Sequence, residues 1–342
     1  HSAIRAMLPR CSTVSSADAA FVPGFPPDLS IPASKLQAAL TAGQDAVNIA
    51  TLRLVTGKND ISVEGKVSKL KAKTPSFDLL IKCKSFALDE LTKFSAQTRE
   101  MELAGKGFFA LAVEGQMPKP SLSGKMQFKE LGATIEGLKL SEFTGVMSFD
   151  DRLIDIPKLR GKVADGILNM DLTIKNYTKA PDVQLEAELS EFDLGKYLTA
   201  KAALAKPKEE PAAAEEGKPA AAKPVVPPMR SKGRFTVKKL LNPNVTANNA
   251  ELSWGLTGIT PELKQLSGEA KLRVGGGTFE AIDKLSKQSP LVKIAIFPLL
   301  ILQKISGGVL KFIPDLTHVD FTEIFGDYAF SEGLMTLKES RL

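Results

Sequence analysis

Strict two-residue alternation is the feature that most narrows what this chain can fold into. Phe77, Leu79, Ile81 and Cys83 alternate with Asp78, Leu80, Lys82 and Lys84. Leu122, Met126 and Phe128 alternate with Ser123, Lys125, Gln127 and Lys129. Leu168, Met170, Leu172 and Ile174 alternate with Asn169, Asp171, Thr173 and Lys175. Val183, Leu185, Ala187 and Leu189 alternate with Gln184, Glu186, Glu188 and Ser190. Side chains of a β-strand point alternately to opposite faces, so each segment reads as a strand with one apolar and one wet face. That favours antiparallel sheets covered on one side. Turn signals such as Gly57-Lys58-Asn59-Asp60, Asp150-Asp151 and Ala164-Asp165-Gly166 separate the strands at hairpin spacing.

The pattern is also duplicated. Residues 74–91 (TPSFDLLIKCKSFALDEL) align with 180–198 (APDVQLEAELSEFDLGKYL), and 47–52 (VNIATL) with 154–159 (IDIPKL). Pro75 matches Pro181, Leu79 matches Leu185, Phe86 matches Phe192 and Leu88 matches Leu194, at an offset of about 106 residues. A partial third copy, 330–342, resembles 149–161. Residues 35–200 therefore read as a two-copy strand-rich region, after an irregular Ser/Pro/Ala-rich segment 1–34. Residues 201–231 are rich in Ala, Lys, Glu and Pro without apolar periodicity, and read as a disordered linker in which a helix could continue for the first few residues. Within 232–342, Gly233–Leu241 and Ala250–Leu256 read as strands, Gly268–Ala281 as a strand pair, and 282–313 as an amphipathic helical stretch broken at Pro290 and Pro298.

Charge and residue types exclude several classes. The net charge of +6 comes mostly from scattered Lys, and aromatics are only 6% of the chain, unlike the clustered basic patch with interleaved aromatics of a nucleic-acid binder. Two Cys are too few for a disulfide framework, and Cys83, in phase with Phe77, Leu79 and Ile81, reads as a buried thiol. Of the two His, His318 sits in an Asp315-x-x-His318-x-Asp320 cluster with no second His or Cys to support a metal site. Gly275-Gly276-Gly277-Thr278 lacks the Lys of a phosphate loop and reads as a bulge or tight turn. Asp150-Asp151 reads as turn chemistry. No nucleophile–base motif is visible. The expectation is a protein that is not an enzyme and uses neither metal nor cofactor. No stretch reaches the roughly 18 apolar residues of a membrane span; the nearest, 290–302, is short and interrupted by Lys293 and Pro298. The start lacks an initiator Met and an apolar h-region, so the chain is expected to be a fragment or a mature ectodomain.

One-sided alternation leaves two architectures open. Two sheets could close over a shared core, or one sheet could curl into an open trough lined by Leu, Ile, Val and Met. Segments 61–67 (ISVEGKV), 75–91, 120–131 (PSLSGKMQFKEL), 153–168 (LIDIPKLRGKVADGIL) and 181–198 resemble the AsmA family of Gram-negative envelope proteins, with its TamB-like members. Segments 266–283 and 319–342 resemble the AsmA-like C-terminal region. That family is similar in fold to bridge-like lipid transfer proteins built from repeating β-groove units. The resemblance implies a mainly β fold: an elongated, repeat-built antiparallel sheet curled into an open hydrophobic groove, with short helices near the C-terminal part.

The function it implies is phospholipid binding and transport between membranes, with a role in outer-membrane homeostasis. The groove is expected to be lined by Phe77, Leu79, Ile81, Leu122, Met126, Phe128, Leu168, Met170, Leu172, Val183, Leu185 and Leu189. Ile294, Ile296, Phe297, Leu300 and Leu302 would cap it or touch a membrane. Expected partners are phospholipid acyl chains, the inner or outer membrane and envelope proteins, but not nucleic acid. The expected location is the periplasm, with an inner-membrane anchor in the full-length protein that this chain lacks. The rival expectation is a scaffold or assembly factor that pairs its strands with outer-membrane proteins.

Overall fold

A computed structural model describes residues 35–91, 102–135, 137–204, 227–280 and 318–341. Fifteen strands account for most of them. They are β1 (Lys35–Ala42), β2 (Ala46–Thr56), β3 (Asn59–Ser68), β4 (Ser76–Ala87), β5 (Ala104–Gln116), β6 (Ser121–Ile135), β7 (Leu138–Phe149), β8 (Leu153–Val163), β9 (Gly166–Lys175), β10 (Asp182–Asp193), β11 (Met229–Asn242), β12 (Val245–Ile259), β13 (Ser267–Glu280), β14 (His318–Ser331) and β15 (Leu334–Arg341). Helix α1 (Leu88–Leu91) follows β4, and α2 (Leu194–Leu204) follows β10. The strands form one mainly antiparallel sheet in strict sequence order, with β1 and β15 as its two edges, so it does not close into a barrel. The chain divides into two compact units, one running to Thr134 and including Ser141–Ile156, the other made of Ile135–Leu140 and Pro157–Leu342.

The duplicated sequence folds into duplicated elements. β2 and β8 have the same length at an offset of 107, as do β3 and β9; β4 and β10 match at 106, and each of these last is followed directly by a helix. An ion pair marks the correspondence. Lys58 in the β2–β3 turn bonds Asp89 of α1 at 2.7 Å, and Asp165 in the β8–β9 turn bonds Lys196 of α2 at 3.3 Å. The two pairs occupy matching positions with their charges exchanged. Each Lys is raised in pKa first by its hydrogen bond to the carboxylate. Both pairs are solvent-exposed, and such pairs add little stability, so they fix where each helix sits against its turn more than they hold the sheet together.

The structure corrects the sequence reading at two places. β10 and β11 run parallel, against the expectation of an antiparallel sheet. A parallel neighbour needs a connection long enough to carry the chain back along the strand, about 40 Å for a strand of this length. Residues 194–228 supply that connection. α2 continues to Leu204, as the sequence allowed, and β11 opens at Met229. The described helices follow β4 and β10; the predicted helical stretch 282–313 and the N-terminal segment 1–34 lie outside the described residues.

The second correction concerns Gly275-Gly276-Gly277, which forms neither turn nor bulge. It lies inside β13, one continuous strand of 14 residues whose register with β12 and β14 does not shift there. Glycine is needed for close approach. A Cβ on Gly277 would run into the Thr246 carbonyl and sit 2.7 Å from the ring of Phe321 on β14, which is buried. Gly255 on β12, in contrast, has nothing within 4 Å of a Cβ. Gly277→Ala is expected to cost about 1–3 kcal/mol through overpacking, read as a lower denaturation midpoint, whereas Gly255→Ala leaves the midpoint unchanged or raises it.

Candidate functional site

Backbone register decides which side chains share a face, because directly paired residues point the same way. In the first unit the pairing chains β1 to β6 through Leu36–Leu54, Leu54–Ile61, Ile61–Cys83, Cys83–Phe109 and Phe109–Met126. A parallel row runs Ala38–Leu52–Val63–Ile81–Leu111–Gly124. A third runs Val67–Phe77–Gly115, and Leu79 pairs Val113, which pairs Leu122. The expected lining residues Phe77, Leu79, Ile81, Leu122, Met126 and Phe128 thus lie together on one apolar face. The opposite face carries Ser62, Glu64, Lys82, Glu114, Lys125 and their neighbours, with Arg53 and Asp60 joined by two 2.7 Å hydrogen bonds.

The second unit repeats the arrangement. Leu168 pairs Leu189, Leu172 pairs Leu185, and across the parallel step Leu189 pairs Val237. The next row runs Met170–Ala187–Phe235–Leu252–Leu272. Leu168, Met170, Leu172, Val183, Leu185 and Leu189 therefore also share one face. Trp254 lies on it, crossing Gly233, with its indole Nε1 donating to Ser231 Oγ at 2.8 Å. The reverse face is laced by cross-strand ion pairs, including Lys238–Glu188 at 2.7 Å, Arg273–Glu323 at 2.9 Å and Lys338–Glu269 at 2.6 Å.

Burial shows how these faces are covered. Of the twelve expected lining residues only Phe128 and Leu189 are buried; Leu122 is 41% exposed and the other nine are half-buried. The inner rows of a closed sandwich would be sealed on both sides. Among the described residues no second sheet lies over either face. Buried residues gather at the helix end of the strands in the first unit; in the second they lie there and, with Ala270 and Tyr328, toward the opposite end. In the first unit these are Cys83, Ala87 and Phe128, together with Asn59, whose Oδ1 accepts the Ala87 amide at 2.8 Å. In the second unit a core of Ala247, Val274, Phe321 and Ile324 is packed by Leu194 of α2 and by Leu240.

Ten lining side chains left partly in water, at about 0.5 kcal/mol each, leave on the order of 5 kcal/mol of apolar transfer free energy unrealised. That is at the low end of the whole stability of a typical domain. The faces carry Leu, Ile, Val, Met, Phe and Gly, and so offer contact without directional hydrogen bonds, which suits an acyl chain.

Other candidate residues take structural roles. Asp150 Oδ1 accepts the amides of Arg152 and Leu153 at 2.8 Å each, as turn chemistry requires. Asp151 accepts the Leu122 amide at 2.8 Å, and its pKa is lowered first by a hydrogen bond from Ser121. His318 opens β14, and Asp320 accepts from Thr278 at 2.9 Å. Among the described residues no group of three or more His, Cys, Asp and Glu gathers as a metal site, and no helix is long and apolar enough to cross a membrane. A recess of about 670 Å³ beside α2, lined by Asp193, Lys196, Thr199 and Pro243 among others, lies at the strand ends. Ile294, Ile296, Phe297, Leu300 and Leu302, the expected cap, lie outside the described residues.

The face is larger than the twelve residues read from sequence. It takes in Val47, Ile49, Leu52 and Leu54 of β2 and Phe109, Leu111 and Val113 of β5. In β5 the run Phe108–Val113 is apolar throughout, so alternation is hidden; in β2 an extra residue shifts the phase. No family profile, curated protein or solved structure matches the chain.

Cys83 reports on the closed end of the first face. It is 2% exposed, and burial pushes its thiol pKa up. The neutral thiol is favoured in the fold, so its contribution is intact below the usual thiol range and is lost as pH rises through the folded value. In a Cys11→Ser background, Cys83 is expected to react with a thiol reagent at pH 8 only slowly in the native protein and promptly in denaturant. Equal rates in the two states would contradict this packing.

Proposed function

We propose that the chain is a lipid-binding groove protein, each apolar face taking phospholipid acyl chains. The observation that carries this reading is the pairing of register with exposure: rows of aliphatic side chains aligned on one face, uncovered among the described residues. The sequence resemblance to AsmA-like envelope proteins supports a role in phospholipid transport between membranes and outer-membrane homeostasis, within the periplasm of a Gram-negative cell. On this reading the protein is not an enzyme. The duplicated strand–helix units would each provide a stretch of acyl-binding surface.

A second reading is favoured by a different observation. Among the described residues β1 and β15 each have one edge with no sheet neighbour, and β15 is exposed along nearly its whole length, with Leu334 at 74%. Such edges suit a scaffold that pairs strands with outer-membrane proteins.

The two readings separate by what the protein carries. Native mass spectrometry of chain purified without detergent is expected to show phospholipid adducts that organic extraction removes. Leu79→Asp with Leu185→Asp, which place charge in both rows, are expected to abolish the adducts. A lipid-free protein that arrives with a polypeptide client would favour the strand-pairing reading instead.

A further inference from the structure

The first unit ends, opposite α1, in a set of turns whose chemistry differs from the rest of its surface. The β3–β4 turn holds Lys69, Leu70, Lys71 and Lys73, and the β5–β6 turn holds Met117 and Lys119. Backbone bonds tie these turns together. Met117 N donates to Pro75 O at 3.0 Å, and Leu70 N donates to Asp45 O of the β1–β2 turn at 3.2 Å. Asp45 is the only carboxylate in the three turns, and its Oδ1 accepts the Lys71 amide at 2.9 Å. All four lysines are exposed, and none has an ion-pair partner among the described residues. Between them two large apolar side chains face water, Leu70 at 45% exposed and Met117 at 43%. The neighbouring β7–β8 turn adds two carboxylates, Asp150 and Asp151, and the cation Arg152, so the four turns together stay net basic. At the opposite end of the same strands the one lysine in the β2–β3 turn is paired with Asp89, beside Glu90.

The apolar face runs out at this basic rim. Val67 at the end of β3 pairs Phe77 at the start of β4 beside it, and Leu122, 41% exposed, lies at the start of β6 by the turn that holds Lys119. We infer that these tied turns are a docking surface for an anionic phospholipid membrane. The lysines take lipid phosphates, Leu70 and Met117 enter the boundary between headgroups and chains, and the apolar face is brought against the acyl layer. Charge complementarity selects the occupant, and the two apolar tips distinguish a lipid surface from a general polyanion. The inference rests on the lipid-binding reading of the adjoining face.

Vesicle flotation tests it. Binding to phosphatidylcholine vesicles containing phosphatidylglycerol, and not to phosphatidylcholine alone, is expected, weakening as salt is raised. Each lysine near an anionic surface contributes roughly fivefold in affinity at low salt. The combined Lys69→Gln, Lys71→Gln, Lys73→Gln and Lys119→Gln variant should therefore bind roughly several hundredfold more weakly. Leu70→Ser with Met117→Ser should weaken binding as well, while Lys106→Gln, Lys125→Gln and Lys129→Gln should not. Wild-type binding by the quadruple variant would overturn the inference. So would loss on neutralising the lysines with no effect of the serine pair, since that pattern belongs to non-specific polyanion adhesion. Phospholipid adducts separate a failed rim from a failed groove: adducts without docking on the quadruple variant leave the groove intact, and docking of the wild-type chain without adducts leaves the rim intact and faults the groove.

Discussion

Backbone hydrogen bonding sets everything else in this fold. Each strand is paired to the next in a register that keeps apolar side chains opposite apolar side chains, so the two-residue period within strands becomes rows that cross strands. A slip of one residue in any pair would send an apolar set to the polar face and place Lys82 or Lys125 among leucines. The cross-strand ion pairs of the reverse face would break at the same step. The register is therefore held from both sides of the sheet, although each exposed ion pair is weak by itself.

The helices give each copy a closed end. α1 and α2 follow β4 and β10 at matching positions, and their ion pairs to the preceding turn persist although the charges are exchanged. Persistence of the contact with reversal of its sign is what two copies of one structural unit would retain, because the attraction depends on the pair and not on which partner is basic. Near α1 and α2 the side chains are buried; farther along the strands of the first unit they are not. Burial thus varies along a strand as well as between its faces, and the open stretch is where a ligand would find apolar surface without displacing protein.

Much of this was legible in sequence, and the gaps have physical causes. Clean alternation in β4, β6, β9 and β10 identified strands and placed all twelve lining residues on shared faces within their units. In β2 an extra residue at Ala50–Thr51 brings Ile49 and Leu52 to the same side, so the sequence there loses phase. In β5, Phe108, Ala110 and Ala112 fall on the reverse face and mask the alternation of Phe109, Leu111 and Val113. The parallel β10–β11 step could not be foreseen, since strand direction across a long connection has no local signature. The glycine run in β13 misled because glycine usually marks a turn; here the constraint was Phe321 on the neighbouring strand, which sequence does not place. The choice between sandwich and open sheet needed exposure, which alternation does not encode.

A lipid-binding role requires the apolar face to contact acyl chains. Photo-crosslinking from single positions measures this directly. A photoreactive residue in place of Leu79, Ile81 or Leu172 is predicted to label a phospholipid bearing a tagged acyl chain, and one in place of Lys82 or Lys125 on the reverse face is predicted not to. Equal labelling from both faces, or none from the apolar one, would contradict it.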